Sequence, residues 1–106
     1  MPKGDFIGEF ELYVLLAIVH LDDEAYGIRI RQEIERRTGR EIAIGAIYAT
    51  LGRLRDKALV EFTLSAPEPV QGGRARKHYS LTRAGARAVR HSTSMLTKMM
   101  AGADLR

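Results

Sequence analysis

Residues 44–60 read IGAIYATLGRLRDKALV, and the periodicity of this stretch decides the fold. On a helix, Ile44, Ile47, Leu51, Leu54 and Ala58 recur at spacings of three and four and make one stripe apolar. The opposite stripe is Gly45, Ala49, Gly52 and Asp56, flanked by Ala46, Tyr48 and Arg53. A solvated helix face is ordinarily filled with strong helix formers, and each glycine costs roughly 1 kcal/mol against alanine. A face this lean implies that something approaches the helix backbone closely. Two partners fit: another helix, or the floor of a DNA major groove with Tyr48 and Arg53 reaching to either side.

Upstream, Gly8–Leu21 reads as a first helix, apolar on almost every side (Phe10, Leu12, Val14, Leu15, Leu16, Ile18, Val19). A small monomer cannot readily bury such a helix, so part of it is expected to face a second subunit. Asp22, Asp23 and Glu24 suit a helix cap. A second helix is expected over Ala25–Thr38, with Gly27, Ile30 and Ile34 inside, Gly27 admitting a close helix crossing, and Gly39 as its stop. Residues 40–43 form an extended link into the third helix.

Downstream the period changes to two. Leu59, Val60, Phe62 and Leu64, interleaved with Glu61 and Thr63, predict a strand. Residues 65–73, SAPEPVQGG, break regular structure. Residues 74–81, RARKHYSL, resume as a basic strand. Thr82 is a fitting N-cap for a last helix over 83–103. On that helix Ala88, Ser92, Met95, Met99 and Gly102 alternate spacings of four and three, widened by Val89, Leu96 and Met100. Such a seam suits a partner helix, although a terminal helix can also fold back on its own core.

A chain of 106 residues that is 45% apolar and 28% charged is one ordinary globular domain. With no cysteine there is neither a disulfide framework nor a thiolate metal site. The longest apolar run, residues 12–19, is too short to span a bilayer, and the N-terminus has no signal-peptide pattern. The expectation is a soluble cytoplasmic protein. Residues 1–68 carry nine Lys/Arg and twelve Asp/Glu, whereas Arg74, Arg76, Lys77, Arg83, Arg87, Arg90 and Lys98 follow with no acid before Asp104. A one-signed block attracts polyanions.

Three helices followed by a basic hairpin is the layout of a winged helix-turn-helix, a mainly α (α+β) fold. Its third helix is suited to the major groove and its wing to the neighbouring backbone. The residues also resemble the PadR-type transcriptional regulators, in the short form with one C-terminal helix. The matching segments are Glu9–Leu21, Ala25-Tyr26-Gly27, and residues 46–54 (AIYATLGRL). Gly72-Gly73-Arg74, residues 78–82 (HYSLT) and Ala84-Gly85 match as well. The resemblance implies a DNA-binding domain over 1–81, with the wing at 59–81, and a dimerisation helix over 82–106. It also implies a homodimer, usually a repressor, on a pseudo-palindromic operator, with the last helix packed on helix one of the partner. The chain departs from the family at Ala58, where glycine is usual. It also has no tryptophan, the residue short members use to trap flat aromatic ligands.

The candidate DNA-binding residues are Tyr26, Gly45, Ala46, Tyr48, Ala49, Thr50, Arg53, Arg74, Arg76 and Lys77. Arg53 can hold guanine through O6 and N7, grip a phosphate, or pair with Asp56 or Glu61. Tyr48 suits a phosphate contact or a half-buried core position. Tyr26 suits a phosphate contact at the start of helix two, or packing on helix one. Gly45, Ala46, Ala49 and Thr50 offer only backbone approach and methyl contacts, so base readout is sparse and DNA shape must contribute. The candidate dimer residues are Phe10, Val14, Val89, Ser92, Met95, Leu96 and Met99. The surface near Phe10, Val14, Met95 and Met99 suits plain dimer core, or a small apolar effector. His20, His78 and His91 lack metal-ligand spacing, and no nucleophile has a base beside it, so no metal, cofactor or catalytic site is expected. The competing function is a winged-helix module that binds protein, or DNA without sequence preference.

Overall fold

The computed structural model describes residues 7–65 and 76–105. Its elements are α1 (Glu9–Leu21), α2 (Gly27–Thr38), α3 (Ile44–Asp56), β1 (Val60–Leu64), β2 (Lys77–Leu81) and α4 (Arg83–Met100), with a 3-10 turn at Asp22–Glu24. This is a mainly helical winged helix-turn-helix. The α1–α3 triad is followed by an antiparallel hairpin pairing Val60 with Leu81, Phe62 with Tyr79 and Leu64 with Lys77.

The core follows the apolar periodicities. Val14, Leu15 and Ile18 of α1 meet Ile30 and Ile34 of α2, Ile47, Leu51 and Leu54 of α3, and Leu59 and Tyr79 from the hairpin. Burying each large aliphatic side chain is worth about 1.5–3 kcal/mol, so this set fixes how the three helices sit. The α2–α3 turn is pinned as well. Gly39, at φ 75, donates its N–H to the Glu35 carbonyl. The Glu35 carboxylate accepts the Ile42 N–H at 2.9 Å. Thr38 Oγ1 donates to the Ile34 carbonyl at 2.8 Å and accepts the Arg40 N–H at 3.2 Å.

The last helix ends at Met100 rather than at residue 103, and two further boundaries differ from the sequence pattern for reasons the packing shows. Helix two starts at Gly27, not Ala25, and Tyr26 rather than an acid is its N-cap. The cause is the wing: His78 Nδ1 donates to the Asp23 carbonyl and the Tyr79 N–H to the Ala25 carbonyl, both at 2.8 Å. Residues 23–25 are thereby held alongside β2 instead of continuing into the helix. Helix three stops at Asp56, and Ala58 leaves the apolar stripe: it is exposed, with φ 59. The Leu59 N–H reaches back to the Leu54 carbonyl at 2.9 Å and the Ala58 N–H to Arg55 at 2.8 Å. This is a Schellman ending, whose left-handed position ordinarily holds glycine.

Thr82 joins this turn to α4. Its hydroxyl donates to the Ala58 carbonyl at 2.7 Å and accepts the Gly85 N–H at 3.0 Å, the expected N-cap. The first turn of α4 sits so close to the turn that a Cβ on Gly85 would lie 2.0 Å from the Leu59 carbonyl oxygen. Ala88 is buried and Val89 packs on the core, so the first half of α4 does fold back on its own chain. From Ser94 to Leu105 every residue is exposed.

Candidate nucleic-acid interface

The outer stripe of α3 is open. Gly45, Ala46, Ala49, Gly52 and Arg53 are exposed, and a Cβ built on Gly45 or Gly52 meets nothing within 4 Å. Among the described residues no second helix lies there, so close helix packing within the chain does not account for the glycines. Between Gly45 and Gly52 this stripe presents helix backbone and the Ala46 and Ala49 methyls, with the exposed Asp56 at its C-terminal end.

Tyr48 bounds the stripe on one side and is 50% exposed. Its ring rests on Gly27, where a Cβ would come within 2.6 Å of the phenol carbon and oxygen. The small residue at 27 thus seats a side chain of α3 rather than a crossing helix backbone. Tyr26, Gly27, Ile28, Tyr48, Arg76, Lys77 and Tyr79 line one cavity of ≈ 360 Å³. Four of the ten candidate residues therefore converge between the start of α2, α3 and the base of the wing. Tyr26 packs against the wing: the Arg76 guanidinium lies 4.5 Å over its ring, and His78 meets its edge at 5.7 Å. Burial pushes the Tyr79 hydroxyl above its ordinary value, so it stays protonated.

The wing is tied to α3 through Phe62. Arg55 lies 4.4 Å from the centre of its ring and Lys77 4.7 Å, contacts worth about 0.5–1 kcal/mol each at exposed sites. Arg55 and Ile28, which is 48% exposed, escaped sequence reasoning. Their available signals were the basic residue one turn beyond Leu51 and the apolar residue just after Gly27. Arg74 lies outside the described residues.

Arg53 bounds the stripe on its other side. It pairs with neither Asp56 nor Glu61; its Nη2 donates to Thr50 Oγ1 at 3.0 Å. Thr50 itself is 1% exposed and cannot touch DNA, which corrects its place among the contact residues. It falls three residues after Ile47 and four before Leu54, on the core side of the helix. Nearby, Lys57 Nζ donates to both oxygens of the buried Glu11 at 3.0 and 2.9 Å, and the Gly8 N–H adds 2.9 Å to the same carboxylate. Burial opposes the charge on Glu11. The Gly8 N–H and the Lys57 ammonium outweigh it, and the carboxyl lies below its ordinary value.

The candidate dimer residues divide. Val14 is completely buried in its own chain and cannot meet a partner, a second correction. Phe10 is partly buried, with the Arg40 guanidinium 5.6 Å over its ring. Val89 and Ser92 are half-buried, whereas Met95, Leu96 and Met99 are exposed at 40%, 53% and 80%. His20 is exposed on α1 and His91 half-buried on α4. Among the described residues no group of three His, Asp or Glu is placed to hold a metal ion, and no helix is long and apolar enough to cross a membrane.

Comparison with known proteins agrees with this arrangement. The pattern of the transcriptional regulator PadR-like family matches residues 15–91. A PadR family transcription regulator from Clostridium difficile is 25% identical, with a TM-score of 0.69 over 89% of this chain and 96% of its own. RosR of H. salinarum is 26% identical, with a TM-score of 0.65 over 92% and 81%. A PadR-like transcription factor from Bacteroides fragilis, at 24% identity, shares the fold with a TM-score of 0.69 over 87% and 84%. No curated protein matches the chain.

Proposed function

The chain belongs to the transcriptional regulator PadR-like family and is a DNA-binding transcription regulator; from that premise we propose that it is a homodimeric repressor of a pseudo-palindromic operator. In this reading α3 enters the major groove and the wing touches the flanking backbone. The observation that carries it is the open, side-chain-poor stripe of α3, bounded by Tyr48 on one side and Arg53 on the other. Arg53 is the base reader, while Tyr26, Tyr48, Arg76 and Lys77 take phosphates and sugars, which position the protein without conveying sequence. Residues 1–81 form the DNA-binding domain and 82–106 the dimerisation segment. A small apolar effector entering near Phe10, Met95 and Met99 would act on the spacing of the two reading heads.

The test is to expose sheared genomic DNA to the purified protein and sequence what it retains. An enriched inverted repeat supports the reading, and Arg53→Ala should then weaken operator binding far more than binding to random duplex. Retention without an enriched site would replace the repressor with a non-specific architectural protein, a reading kept open by the short side chains of the α3 stripe. No retention at low salt would point to a protein partner, because phosphate contacts are strongest there.

A further inference from the structure

We propose that Thr50 is a positioning residue for sequence discrimination, holding the Arg53 guanidinium in the plane in which it reads a base. The inference rests on the role of Arg53 given above. Arginine recognises guanine through two parallel N–H donors, which requires a defined guanidinium plane; an arginine without one grips whichever phosphate is near. Thr50 supplies a fixed anchor, because it is 1% exposed and its position is set by the core around Ile47, Leu51 and Leu54. Its Oγ1 accepts from Nη2 at 3.0 Å, one helical turn back from Arg53. That occupies one of the guanidinium's five donors and leaves the others for DNA. A valine would fill the same space, and burying a hydroxyl is unfavourable unless it is hydrogen-bonded. The threonine therefore makes sense here through its bond to Arg53. Since Gly45, Ala46, Ala49 and Gly52, the exposed residues beside Arg53 on the outer stripe ahead of Asp56, have almost no reach, fixing this one side chain carries a large share of direct readout.

The experiment compares wild type, Thr50→Val, Thr50→Ser, Arg53→Ala and the Thr50→Val/Arg53→Ala pair. Each full-length protein is titrated with the recovered operator and with random duplex, and each is melted. Thr50→Val is expected to lower the operator-to-random affinity ratio about fivefold, the scale of one hydrogen bond, with random-DNA affinity and melting close to wild type. Thr50→Ser should restore the ratio, and Thr50→Val should change nothing further once Arg53 is gone. A wild-type ratio in Thr50→Val beside a collapsed ratio in Arg53→Ala overturns the inference and leaves Arg53 as base reader. An equal loss with and without Arg53 also overturns it, since Thr50 would then act through packing. An unchanged ratio in Arg53→Ala overturns the base-reader role itself, and the positioning role falls with it.

Discussion

Ala58 is an alanine in a position built for glycine. At φ 59 its methyl costs about 1 kcal/mol or more, and the bonds from Leu59, Thr82 and its own N–H hold it there. Ala58→Gly should therefore raise unfolding stability by about 0.5–1 kcal/mol, net of the extra freedom glycine gives the unfolded chain. A rise of a few degrees in melting temperature is the readout; a fall would mean the methyl makes a contact worth more than the strain. Glu11 yields a pH prediction. Its folded carboxyl lies below the ordinary 4.5, so its stabilisation is complete above that value and drains away as pH falls through the lower folded value. Glu11→Gln should cost about 1 kcal/mol at neutral pH, discounted for the partly exposed Lys57. The two proteins' unfolding curves should converge in acid, and a gap independent of pH would mean the amide merely packs badly. The exceptional residue at 58 is flagged only by the resemblance to the family, where glycine is usual; periodicity alone places Ala58 on the apolar stripe. The Glu11–Lys57 pair was not visible in the sequence, because 46 residues separate its members.

Among the elements, α3 was the most legible, and its two stripes account for why. Its apolar stripe put Ile47, Leu51 and Leu54 in the core, and the outer glycines announced a surface kept bare. What periodicity could not resolve were the ends of elements, which are set by contacts from elsewhere: β2 shortens α2, and Thr82 and Gly85 shape the exit from α3. Glycine substitutions separate these cases. Gly85→Ala forces a Cβ into the Leu59 carbonyl and should destabilise by about 3 kcal/mol or more, seen as a large drop in melting temperature. Gly45→Ala and Gly52→Ala have open space around them and should each stabilise α3 by about 1 kcal/mol. If α3 docks in the major groove as proposed, the same two changes should weaken DNA binding, because each methyl would stand between the helix backbone and the groove floor. Stabilised variants that bind DNA as tightly as wild type would remove α3's outer stripe from the interface.

On the scale of the whole molecule, the outline is elongated, 55 × 32 × 21 Å, with a radius of gyration of 15.3 Å against about 13 Å for a compact chain of this size. The second half of α4 exposes Met95, Leu96, Met99 and Met100 together. The apolar seam was legible in the sequence, but its division was not. Only packing reveals that Gly85 and Ala88 belong to the chain's own fold while the methionines stay uncovered. A second copy is the proposed cover, placing two α3 helices at the spacing of an inverted repeat. Met95→Glu with Met99→Glu adds charge where the chain itself makes few contacts, so each subunit should still fold and melt near the wild-type temperature. Sedimentation should then report a monomer. Operator affinity should fall steeply, and the slope of log affinity against log salt should drop by about half, since each monomer meets half the phosphates. A dimer that survives both charges would move the subunit contact to α1, whose Val19 is 55% exposed. Monomers that keep full affinity and slope would mean that each chain reads its site alone, and the inverted repeat would lose its physical reason.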